Sequence, residues 1–490
     1  MPFPLLLALF VAFGLDDLVL QQPRSDPRGG LHLAEAFAGV AGVALFALAF
    51  GRWVASRVVQ RGYASSQLRK NYVFGLRCFE VAGLLVYAWI IHGVGWTTAV
   101  RGGLGLPHLG VLRDATILLP YLLIQVAIWS GIYPAEIALR SSSSMPTLSR
   151  LRHLTLRARQ TLGLVLPALC VYSLGPDVIS RQWPGWSSSS WAQPIEVIVT
   201  GGTLLVLSPL FIRLAWPTRP LGPGPLRDRL EQQARRVGFR YSDILVWDTG
   251  NGVVNACVTG SLPWFRYVLL SDALLEYLNE HEVAAVFGHE LGHIAHRHLV
   301  FFGFFIVGSL GVLAMFDNTV ESTLSALSTL IVGRSQPLAA TVIESVLAFA
   351  AIGLYALIVF GHISRKFERQ ADLFGCRAVS CLETSCPPHA DVDRGGETAA
   401  LAVNPCPVGI RIFANALANV ATLNGIDKTN RSWRHGSIAK RIAFIETLEN
   451  RPDAVRTFQF SVFRLRLATL LILGIALILA LTHGSLPRLR

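Results

Sequence analysis

The chain has 490 residues, 52% of them hydrophobic and only 15% charged, with a mean hydropathy of +0.48. Ordinary globular domains carry about 25% charged residues, so this composition excludes a disordered or collagen-like chain and a purely water-soluble enzyme. The net charge of +12 accompanies no nucleic-acid recognition motif and fits arginine-rich loops beside membrane spans, so nucleic acid is not an expected partner and the lipid bilayer is.

A bilayer core of about 30 Å calls for roughly 20 mainly apolar residues in a helix. Such runs lie near Glu35 to Gly51, Phe79 to Trp96, Ala115 to Tyr133, Thr161 to Gly175, Ile195 to Leu214, Leu299 to Phe316, Ala339 to Gly361 and Leu465 to Thr482. The shorter run from Phe3 to Leu15 ends at Asp16 and Asp17 and lacks the basic start of a signal peptide. It reads as a further span, for about 8 to 9 transmembrane helices in all. Basic residues then orient the set. Arg52, Arg57, Arg61, Arg69 and Lys70 crowd the first connection, whereas the second holds only Arg101 and Arg113. The pattern repeats with Arg140, Arg150, Arg152, Arg157 and Arg159 against Arg181. Lys and Arg near span ends favour the cytoplasm, so alternation places both 217–298 and 362–460 on that side. The expected organisation is an N-terminal membrane region (1–216), a first polar part (217–298), a membrane helix pair (299–361), a second polar part (362–460) and a C-terminal span with its tail (461–490).

Within the first polar part, the Pro- and Gly-rich stretch Pro217 to Pro225 marks a boundary. Leu226, Leu230, Ala234 and Val237 recur at helical spacing before Gly238. Ile244 to Trp247, Val253 to Val258 and Tyr267 to Leu270 read as a small sheet. Asn279 with Glu282 resembles a capping box opening a helix that runs to about His298.

That helix holds His289, Glu290, Leu291, Gly292 and His293, the HExxH pattern. Four residues is about one turn, so both imidazoles project from one face and converge on one tetrahedral ion. Glu290, one place along, approaches water rather than the metal. A hydrolytic zinc site needs a third protein ligand and an open position. The residue ten places after His289 is Leu299, which excludes the metzincin arrangement, and His296 stands about 10.5 Å along the helix axis from His289. The better third ligand is Glu368, with Asp372 one turn later on the same face, placed to accept the second ring N–H of a ligand histidine. Seven cysteines cannot all pair and show no secreted disulfide framework. Cys376, Cys381, Cys386 and Cys406 lack close CxxC spacing, so they read as thiols around a flexible insert rather than a second metal site.

These motifs resemble the integral-membrane gluzincin peptidases that include the HtpX heat-shock proteases and the CAAX prenyl endopeptidases. The likeness runs from Leu226 to Ile442 and is carried by Asn255-Ala256, Leu274-Leu275, His289 to His293 and Glu368 to Asp372. It implies one Zn2+ per chain held by His289, His293 and Glu368, with Glu290 as catalytic base on a zinc-activated water. It also implies that Asn255 and Ala256 belong to an edge strand whose backbone pairs with an extended substrate. His435, followed by Arg441 and Ile442, resembles the family's His-Pro-Pro…Arg-Ile element, whose histidine stabilises the oxyanion; Gly436 stands where the family has proline. Arg441 is expected with Asp372 behind the ligands.

The resulting expectation is an α-helical polytopic membrane protein with a cytoplasmic α+β gluzincin-like metallopeptidase domain, in a bacterial inner membrane. It is a zinc metalloendopeptidase acting on peptide or protein substrates, membrane-bound ones included, in membrane-protein quality control or processing. The competing readings are CAAX-type processing of lipidated substrates, and a non-catalytic membrane protein with a structural zinc. A structural site is usually closed by four protein ligands, and only three suitable ones stand out here.

Overall fold

The structure is a computed structural model that describes residues 8, 12, 31–63, 65–103, 110–142, 146–183, 185, 192–260, 262–315, 317–333, 337–380, 404–449 and 451–482. Most of the run from Phe3 to Leu15, the serines 187–190, Cys381 and Cys386 lie outside them. The described part is mostly helical. It opens with α1 (Leu31–Arg61), α2 (Ser66–Ala88, continued by a π-helical turn Trp89–Gly93), α3 (Trp96–Gly103), α4 (Gly110–Ser141), α5 (Arg150–Gln182) and α6 (Ala192–Ala215). There follow β1 (Thr218–Pro220), α7 (Pro225–Arg236), β2 (Asp243–Trp247), β3 (Ala256–Thr259), β4 (Tyr267–Ser271), α8 (Asp272–Tyr277) and α9 (Glu280–Ala295). The chain continues through α10 (His298–Met315), α11 (Asp317–Val332), α12 (Pro337–Tyr355), α13 (Gly361–Ala378), α14 (Pro407–Leu423), α15 (Ile438–Glu446) and α16 (Pro452–Thr482).

Among the described residues, five helices are long and apolar enough to cross a membrane: Ala34–Arg61, Gln67–Gly93, Val111–Ser141, Val346–Val379 and Pro452–Ala476. The apolar runs at Thr161, Ile195 and Leu299 are helical too, in α5, α6 and α10. The fold is that of a helical polytopic membrane protein carrying a small sheet. It divides into two compact units, residues 1–219 with 245–253, and residues 220–244 with 254–490.

In the first unit, small residues let membrane helices touch. A Cβ at Gly51 would lie 2.2 Å from the Gly131 carbonyl oxygen, so α1 and α4 meet backbone to backbone. Glu136 of α4 is largely buried and paired with Arg157 and with His153 Nδ1 at 3.1 Å, both on α5. An unpaired carboxylate at that depth would be costly, and the two partners on one neighbouring helix offset part of that cost.

The strand order of the sheet is β1-β2-β4-β3, and β3 runs antiparallel to β4 with Ala256 opposite Leu270 and Thr259 opposite Tyr267. β3 is therefore an edge strand. Two boundaries differ from the sequence reading. The Pro- and Gly-rich stretch contains β1, and the strand expected from Val253 begins only at Ala256. Val254 is held by a side chain instead: Asn424 accepts its N–H at 3.1 Å and donates to its C=O at 2.9 Å.

α9 starts as expected, with the Asn279 side chain accepting from the Glu282 N–H and the Glu282 carboxylate accepting from the Asn279 N–H. Its other end differs from expectation. The helix stops at Ala295, Arg297 takes φ of 53°, and His298 begins a separate helix, α10. Phe287 and Leu291 bury one face of α9 in a core shared with Phe374, Ile410 and Phe413.

The contact of α9 with α13 is unusually close because both helices are small there. A Cβ on Gly288 would meet Ala378 Cβ at 2.8 Å; one on Gly292 would meet Phe374 Cβ at 2.9 Å and Ala371 Cα at 3.0 Å; one on Gly375 would meet the His289 nitrogen at 3.0 Å. Gly292→Val should therefore push the helices apart at a cost of about 1–3 kcal/mol. Thermal unfolding of the detergent-solubilised chain is the check, and an unchanged midpoint would contradict this packing.

Candidate metal centre

The α9–α13 contact fixes what faces what. His289 and His293 lie one turn apart on α9, and Glu368 and Asp372 one turn apart on α13. The two imidazole Nε2 atoms are 3.3 Å apart. Glu368 Oε2 is 3.6 Å from His289 Nε2, and Oε1 is 3.7 Å from His293 Nε2. Donors about 2.0–2.1 Å from zinc at the tetrahedral angle stand roughly 3.3–3.4 Å apart; each imidazole is close to that distance from the other and from its nearer Glu368 oxygen, and one donor atom from each residue lies within 4.8 Å of the other two. Among the described residues these three form the one group of metal-donor side chains that converges in this way. Two nitrogens and one oxygen suit zinc, and three donors leave one tetrahedral position for water or substrate.

Asp372, fully buried, brings Oδ1 to 2.9 Å from His289 Nδ1, where it favours the tautomer that leaves Nε2 free to bind metal. Arg441 of α15 clamps Asp372, with Nε donating to Oδ2 at 2.8 Å and Nη2 to Oδ1, and its Nη1 lies 3.5 Å from Glu368 Oε2. One guanidinium thus compensates two buried carboxylates, in the planar two-bond geometry that arginine alone offers.

Glu290 stands beside the donors, close to the backbone of Val258 on β3. Burial pushes its carboxyl up to about 7, with Glu368 adding to the rise and His289 and the Val258 N–H opposing it. A divalent cation at the three donors would draw it down again. Burial, with Glu290 adding, also pushes the Cys257 thiol up to about 12, so it stays protonated and non-nucleophilic near neutrality.

Along an antiparallel edge strand, alternate residues turn their backbone groups outward. Asn255 is tied inward, its N–H donating to Ser271 Oγ at 3.0 Å and its C=O accepting from the Ser271 N–H at 3.0 Å. The open edge therefore belongs to Ala256 and Val258. Of the two residues expected at this edge, Ala256 presents backbone and Asn255 has only its side chain to offer.

His435 arrives on the loop before α15. Its Nδ1 is 2.8 Å from Glu368 Oε1, and its side chain is 40% exposed. The loop is closed by Gly436, whose N–H donates to the Ser432 C=O at 2.9 Å and whose C=O accepts from the Ser432 N–H at 3.0 Å. Gly436 has φ of 74°. Proline has no N–H and cannot take that angle, so this chain shapes the loop by a different backbone device.

All the residues expected at the catalytic centre meet here: His289, Glu290, His293, Glu368, Asp372, His435 and Arg441. Sequence reasoning missed His298. Its Nδ1 lies 2.9 Å from His293 Nδ1 and its Nε2 3.0 Å from Gln370 Oε1. A five-residue spacing on a continuous helix would point it away; here α9 ends at Ala295 and Arg297 takes a positive φ before His298. His296, already an unsuitable ligand by its height on the helix, stays outside the donor group.

Arg441→Met should leave Asp372 and Glu368 buried without their cation and lower stability by about 3–5 kcal/mol. Adding Asp372→Asn should recover part of that loss, because one of the stranded charges is removed. Urea unfolding of both variants measures this, and a double variant less stable than Arg441→Met would contradict the assignment.

The model for peptidase family M48 matches residues 221–390. Among curated proteins, the chain is 32% identical over 230 residues to the protease HtpX homolog of Bordetella avium, covering 45% of this chain and 70% of that protein. It is 29% identical over 284 residues to the protease HtpX homolog of Aeropyrum pernix, covering 52% and 84%. To the CAAX prenyl protease 1 homolog of Arabidopsis thaliana it is 30% identical over 177 residues, covering 35% and 40%.

Proposed function

The chain belongs to peptidase family M48, and on that premise we propose that this membrane protease is a zinc-dependent endopeptidase with Glu290 as its general base. The observation that carries this reading is the convergence of His289, His293 and Glu368, with the Glu290 carboxylate beside them and close to an open strand edge.

An extended peptide adds to the outer side of β3, pairing with the backbone of Ala256 and Val258. That places its scissile carbonyl between the three donors and Glu290. Zinc, when bound, supplies Lewis acidity that polarises the carbonyl and lowers the pKa of water. Glu290 takes a proton from the attacking water as the new C–O bond forms, and delivers it to the amine nitrogen as the C–N bond breaks. His435, exposed on its loop, donates to the developing oxyanion, a role whose loss elsewhere costs about 10²–10³ in kcat. Asp372 and Arg441 hold His289 and Glu368 in place throughout.

The basic connections of α1–α2 and α4–α5 support a cytoplasmic position for this site. The reading covers both quality control of membrane proteins and processing of a defined substrate, so an unfolded membrane protein and a prenylated peptide are the two substrates to assay. Glu290→Gln should lower cleavage by about 10²–10⁴-fold while zinc content stays at the wild-type level. Normal cleavage by this variant would remove Glu290 as base, and would favour a structural zinc in a protein with another role.

A further inference from the structure

His298 is not a metal donor, yet it is the buried neighbour of one. His298 is 1% exposed, and its ring stacks on Phe367 at 4.2 Å with an interplanar angle of 9°. The contacts on its far side select the tautomer that a neutral ring takes here. Gln370 Oε1 receives both His298 Nε2, at 3.0 Å, and Arg466 Nη2, at 3.3 Å, while Gln370 Nε2 donates to Gln459 Oε1 at 2.5 Å. A guanidinium has donors only, so the amide must turn its oxygen towards Arg466. The same oxygen then obliges His298 Nε2 to carry a proton. A neutral imidazole offers its other nitrogen as an acceptor, so the proton between the two rings belongs to His293 Nδ1. The lone pair of His293 is left on Nε2, the atom facing His289 and Glu368.

We propose that His298 and Gln370 are positioning residues for His293, and that Arg466 and Gln459 of α16, a helix able to cross the membrane, set the direction of this hydrogen-bond chain. This rests on the metal-centre reading above and deepens it. His289 is oriented by a charged carboxylate and His293 by a neutral relay that ends on the C-terminal membrane helix.

The test is zinc affinity, measured by chelator competition on the full-length chain in lipid nanodiscs. The variants are His298→Phe, which keeps a ring to stack on Phe367, Gln370→Met, which keeps length without an acceptor, and the two combined. Each single change should weaken zinc binding by about 10- to 100-fold. The combination should be no weaker than His298→Phe alone, because both changes break one chain. Wild-type affinity in His298→Phe overturns the proposal, and so do losses that simply add. Should His298→Phe fail to fold, Gln370→Met carries the test alone, and unaltered affinity there overturns it. A wild-type chain that takes up no zinc refutes the metal centre and the relay together. Zinc in the wild type with equal affinity in the variants refutes only the relay.

Discussion

Everything at the site depends on two helices lying closer together than side chains normally allow. Gly288 and Gly292 on α9 and Gly375 on α13 have no Cβ, and the space one would need is filled by the opposite helix. Only at that distance can two imidazoles from one helix and a carboxylate from the other stand 3.3 to 3.7 Å apart. The HExxH spacing aims the histidines, but the glycines decide that something is there to meet them. The motif and the packing surface are interleaved on one helix: Gly288 and Gly292 immediately precede His289 and His293.

Bringing acids into such a contact creates an electrostatic problem that the structure solves with one residue. Asp372 and Glu368 are both buried, and without a cation they would repel each other and resist ionisation. Arg441 reaches both, so a charged carboxylate is available to orient His289 and another to face the metal position. His293 avoids adding a third buried acid because its partner is a neutral ring. The two imidazoles are thus held by unlike means, and the charge of the site stays near what one divalent ion can balance.

Much of the centre was legible in the sequence because its signals are local. The capping box at Asn279, the one-turn spacing of His289 and His293, and the one-turn spacing of Glu368 and Asp372 each follow from helix geometry alone. The expected peptidase family is the one the comparisons return. What was not legible depends on the chain departing from its regular course. Helical periodicity carried α9 through His298, whereas α9 ends at Ala295 and, after the left-handed turn at Arg297, His298 begins α10. Gln459 falls in the polar part and Arg466 in the run that reads as a membrane span; one helix, α16, carries both, and nothing in its pattern points at a site. The short β1 hides in a proline-rich stretch, and the late start of β3 follows from Asn424, far along the chain, taking the backbone bonds of Val254.

The central claim is that two imidazoles and one carboxylate, with no thiolate, hold a single zinc ion. X-ray absorption at the zinc edge of the purified, zinc-loaded chain tests it most directly. The account expects nitrogen and oxygen neighbours at about 2.0–2.2 Å with the multiple scattering of two imidazole rings; a sulfur neighbour at about 2.3 Å, or a spectrum without imidazole scattering, would contradict it.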